Sequence, residues 1–131
     1  MTDTQPLYAL ILRTDGSFEV IDWPKENHLP ILYKGIGCTH VDAVDISPRL
    51  SMWIDDSGLI NGSPVNRAAT ILYAIHQEPH QHYHGDVIIT GGVDREGETL
   101  GLTNNEVASL IDFHLTFIPF RIPGQRDRRE S

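Results

Sequence analysis

A chain of 131 residues, 40% hydrophobic and 21% charged, has the size and composition of one globular domain that can bury a continuous core without cross-links. Its single cysteine, Cys38, excludes an intramolecular disulfide framework and any multi-cysteine zinc site. The net charge of −8 is uneven. Arg121, Arg126, Arg128 and Arg129 against Asp127 and Glu130 leave residues 121–131 at +2 and residues 1–120 at −10, so the body repels nucleic acid and anionic membranes and attracts basic partners.

Leu7 to Leu12 is apolar on both alternating faces, the pattern of a central strand covered from both sides. Thr14-Asp15-Gly16-Ser17 supplies a turn, and Phe18 to Trp23 returns as a second strand. Pro24 opens a short helix through Tyr33, with Pro30 as an interruption and Gly35-Ile36-Gly37 as its close. Thr39–Ile46 and Leu50–Ile54 read as strands joined at Ser47-Pro48, and Leu50, Met52 and Ile54 alternate as a half-buried strand should. Asp55-Asp56-Ser57-Gly58 is the next reversal. A helix then runs from Pro64 to about His76, with Ser63 as its cap and Pro64 at the first helical position.

Past a histidine-rich loop, Asp86–Thr90 reads as a strand ended by Gly91-Gly92, and Thr99–Leu102 as an edge strand. Thr103-Asn104-Asn105-Glu106 has the form of a capping box. Behind it Val107, Leu110, Ile111, His114, Leu115 and Ile118 form a helical stripe. The expected fold class is α+β, a single mixed, mainly antiparallel sheet with two or three helices packed on it. One globular domain over residues 1–120 precedes a basic tail, residues 121–131, expected to be disordered. No run approaches the roughly 18 apolar residues of a membrane span. Met1–Pro6 lacks the features of a signal peptide, so a cytoplasmic location is expected.

One block carries a resemblance. Asp15-Gly16, Asp55–Gly58, Gly62-x-Pro64-x-Asn66-x-x-Ala69-Thr70-x-Leu72-Tyr73 and Gly85-Asp86-Val87-Ile88-Ile89-x-Gly91 together resemble a family of small uncharacterised proteins of phages, plasmids and other bacterial mobile elements. The Pro-x-Asn-x-x-Ala-Thr-x-Leu-Tyr segment is its most specific part. The resemblance implies fold and context, and no chemistry.

The candidate binding residues are Asp55, Asp56, Asn66, Arg67, Thr70 and Tyr73. Asn66 both donates and accepts, Arg67 clamps anions, and Tyr73 offers a ring with a polar tip. Asn66, Thr70 and Tyr73 share a helix flank, whereas Arg67 points about 100° away. In the competing structural reading Asn66 ties the preceding connector to the helix and Thr70 and Tyr73 finish the core edge. Asp55 and Asp56 suit a hard cation but are equally the residues a reversal demands. His80, His82 and His84 are the metal candidates, able to hold Zn²⁺ or Ni²⁺ if extended, although no companion metal motif accompanies them. His114, within the apolar stripe, reads as a hydrogen-bonded core histidine. No cofactor is called for.

No complete catalytic constellation is present, so the expected function is non-enzymatic. It is a protein-interaction module of a mobile element, with a basic protein partner and an anti-defence role as one form. Two alternatives stand beside it. One is a small-ligand or metal-binding domain using the Asn66–Tyr73 flank or the His80–His84 loop. The other is a structural homodimer pairing through Thr99–Leu102.

Overall fold

The computed structural model describes residues 8–24, 27–38, 40–56, 62–76 and 82–118. Its elements are β1 (Tyr8–Leu12), β2 (Phe18–Asp22), α1 (His28–Ile36), β3 (Val41–Ser47), β4 (Leu50–Asp55), α2 (Arg67–His76), β5 (Val87–Gly91) and α3 (Asn104–Phe117). The expected basic tail, residues 121–131, lies outside the described residues. The five strands form one open sheet in the order β2-β1-β5-β4-β3, and every pairing is antiparallel. The architecture is α+β.

The central strands are covered on both faces, which is why β1 and β5 are apolar at successive positions. Alternation sends Leu10, Leu12, Val87, Ile89 and Met52 toward α2 and α3, where they meet Ala69, Leu72 and Leu110. The intervening residues Ala9, Ile11 and Ile88 face α1, with Leu32 and Trp23. Leu32 is the one buried residue of α1. Leu32→Ala is therefore expected to cost about 2–4 kcal/mol in denaturant unfolding and to speed amide exchange in α1 ahead of α2 and α3.

Four expectations are corrected. First, no strand pair is parallel among the described residues. Second, α1 starts at His28 and runs through Pro30 to Ile36. Pro30 is its third residue, where the missing N–H has no intrahelical acceptor to lose, and Gly37 at φ 77 ends the helix in the left-handed conformation.

Third, α2 starts at Arg67. Val65 pairs with His84 instead of opening the helix, and Asn66, not Ser63, caps it by accepting the Ala69 N–H at 3.0 Å. Fourth, Thr99–Leu102 is no outer edge. Leu102 exchanges hydrogen bonds with Tyr8 at 2.6 and 3.1 Å, and Leu100 does so with the Gly91–Gly92 backbone at 2.9 and 2.8 Å. The segment thus lies between β1 and β5 and completes their ladders. β2 and β3 are the edges.

Thr103 does form the capping box with Glu106, through bonds of 3.2 and 2.9 Å. Among the described residues, no helix is long and apolar enough to cross a membrane.

Candidate functional site

Asn66 lies where the end of β1, the start of α2 and the approach to β5 meet, and it is fully buried. Its Nδ2 donates to the Leu12 carbonyl and to the Gly85 carbonyl, each at 2.9 Å. With Oδ1 on the Ala69 N–H, both amide protons and the carbonyl oxygen are engaged inside the chain. The Asn66 backbone N–H donates to Tyr83 O at 2.7 Å, and its carbonyl accepts from the Thr70 N–H and hydroxyl at 3.1 and 2.9 Å. Thr70 Oγ1 in turn accepts the Tyr83 N–H at 3.0 Å.

The rest of the motif fits around this clasp. Pro64 O accepts the Gly85 N–H at 2.9 Å. Ala69 and Leu72 are buried in the core, and Tyr73 meets the Tyr83 ring edge-on at 5.3 Å. Asn66, Thr70 and Tyr73 are thus brought together by contacts within the fold. Arg67 is exposed and points elsewhere, lining a notch of about 140 Å³ that it shares with Arg13 and Gly16.

Asp55 ends β4, and the Asp56 N–H donates to His40 O at 3.4 Å, so both residues stand beside the start of β3, whereas Asn66 sits at the end of β1. Ser57 and Gly58 lie outside the described residues. Burial first, and the Asp55 charge second, push the Cys38 thiol up, which disfavours the thiolate that a nucleophile requires.

Of the histidine candidates, His80 lies outside the described residues. His82 is exposed, and His84 donates from Nδ1 to Ser63 O at 2.9 Å. Among the described residues no group of three or more His, Cys, Asp or Glu could hold a metal ion. His114 is the expected core histidine: it is 2% exposed, donates from Nε2 to Gly16 O at 2.7 Å and meets Phe18 edge-on at 5.1 Å.

Two features escaped the reading of the residues. A groove of about 510 Å³ opens between α2 and α3, floored by Leu50, Leu72 and Leu110 and rimmed by Arg49 and Glu106, which form an ion pair at 3.8 Å. Its residues come from three distant segments, so no local pattern announces it. Near the turn after β1, Arg13 bridges Asp86 and Glu19, each at 2.8 Å, and these contacts hold its guanidinium above its ordinary value, Glu19 contributing most.

The chain belongs to the family described as "Domain of unknown function (DUF3846)", whose model matches residues 7–114. No curated protein and no solved structure matches it.

Proposed function

We propose that this DUF3846 chain is a non-enzymatic protein-interaction module that takes a basic protein partner. The observation that carries the reading is where the charge lies. The net charge is −8, and exposed carboxylates stand on both edge strands, at Glu19 and Asp22 of β2 and Asp42 and Asp45 of β3. The polar groups of the Asn66 motif, by contrast, face inward and serve the fold. An acidic surface steers encounter with cationic partners and repels nucleic acid and anionic lipid.

In its specific form this is a cytoplasmic protein of a phage, plasmid or related element, acting against host defence by occupying a basic host protein. The resemblance in the Pro64–Tyr73 block supports that context. The test is capture on the immobilised full chain from a bacterial lysate across a salt series. Retained proteins should be basic and should elute as salt rises from about 50 to about 300 mM, because exposed ion pairs are screened over that range. Retention of no basic protein, or retention indifferent to salt, would reject the reading.

A further inference from the structure

We infer that β3 is the docking edge, and that it takes an extended basic segment of the partner as a sixth, added strand. The inference rests on the protein-binding reading above and names its place and mode. It begins with the backbone. The His40 carbonyl is turned toward β4, where it accepts the Asp56 N–H. Hydrogen-bonding direction alternates along an antiparallel strand, so Val41, Ala43 and Asp45 turn their N–H and C=O groups outward.

The Ala43 N–H bears this out, since its acceptor is the Asp42 side chain at 3.0 Å and not a residue of β4. Asp42, Ala43 and Asp45 are all exposed, and no strand lies beyond β3 among the described residues. Val41, Ala43 and Asp45 of β3 thus present the kind of edge that strand addition uses.

Charge selects the occupant. Val44 packs with the α2/α3 core and Val41 with the α1 core, so alternation places Asp42 on one face of the sheet and Asp45 on the other. Neither has an ion pair among the described residues. An antiparallel strand laid along β3 would set its own residues opposite these two carboxylates at a spacing of three, which calls for Lys or Arg at i and i+3. A lysine opposite Asp42 would draw that carboxylate from the Ala43 N–H, freeing the N–H for the incoming carbonyl.

The other edge is less suited. Glu19 of β2 is already bound by Arg13 at 2.8 Å. A second copy of this chain on β3 would bring like charges together along the new ladder, which is destabilising.

The test titrates the ¹⁵N-labelled full chain with the peptide Thr-Val-Lys-Val-Thr-Lys-Val-Thr and with its counterpart carrying Glu at both Lys positions. The lysine peptide should shift the amides of Val41, Ala43 and Asp45 most. The double variant Asp42→Asn/Asp45→Asn should weaken it about tenfold, the combined effect of two exposed charge pairs. Ala43→Pro removes an outward N–H and should abolish the β3 shifts with spectral dispersion retained. Should that variant lose its fold, Asp42→Lys/Asp45→Lys carries the test, and preference should then pass to the glutamate peptide.

Shifts centred elsewhere, equal binding of both peptides, or concentration-dependent self-pairing of β3 without peptide would overturn the inference. Capture of a basic protein by the Ala43→Pro chain would overturn strand addition and leave the protein-binding reading standing. Peptide shifts on β3 with no basic protein captured would do the reverse.

Discussion

Asn66→Ala should lower the unfolding free energy by about 3–5 kcal/mol, read from the midpoint of urea denaturation at constant slope. The helix cap accounts for about 1 kcal/mol of this. The remainder comes from the Leu12 and Gly85 carbonyls, the first buried and the second partly so, which lose their donor at about 1–2 kcal/mol each. Asn66→Asp separates the contributions. It keeps the oxygen that caps α2 but loses both donated bonds and sets a carboxylate against two carbonyl oxygens. That variant should be at least as unstable as alanine at neutral pH and should recover in part on acidification, when the carboxyl regains a proton to donate. A loss below about 1 kcal/mol for alanine would mean that the clasp does not hold these three segments together. Thr70→Val should then fall between wild type and Asn66→Ala, since it removes the hydroxyl's bonds to the Tyr83 N–H and the Asn66 carbonyl but leaves the Asn66 side-chain bonds in place.

Gly92→Ala should destabilise the domain by about 3 kcal/mol or more, because a Cβ there would sit 2.3 Å from the Pro48 carbonyl oxygen. Gly91→Ala meets a similar obstacle, the Gly101 carbonyl at 2.6 Å. Backbone atoms cannot rotate aside as a side chain does, so relief requires either the β3–β4 turn or the Leu100–Leu102 segment to move. Gly97→Ala is the control. Nothing lies within 4 Å of its would-be Cβ, yet its φ of +85° suits glycine. It should therefore lose only about 1 kcal/mol, the cost of backbone conformation without collision. Thermal unfolding of the three variants side by side would rank them, and equal losses at 92 and 97 would refute the packing account.

The regular elements were legible because each carries its own period. Leu50–Asp55 alternates, Thr103–Glu106 spells its cap, and Val107 to Ile118 repeats at helical spacing. These are local signals, and local physics honours them. The start of α2 differs from the expectation because Asn66, three residues past Ser63, is also a residue type that caps helices. Ser63 and Pro64 satisfy every local preference for a helix start, but pairing of Val65 with His84 draws those residues into an extended path and hands the cap to Asn66. Pro30 was read as a breaker for the same reason: its effect depends on its position within the helix.

The Asn66 block was legible as unusual, though its role was not. A polar residue on a helix flank reads alike whether it faces a ligand or two carbonyls 54 and 19 residues away. Composition and periodicity were enough to specify an acidic α+β domain with a doubly covered central strand, because burial and hydrogen-bonding period act over a few residues. Which strands became edges, where Leu100–Leu102 inserted and which way Asn66 turned depended on contacts between segments distant in the chain. Such contacts are selected by the assembled sheet, which must close its backbone bonds and its core at once.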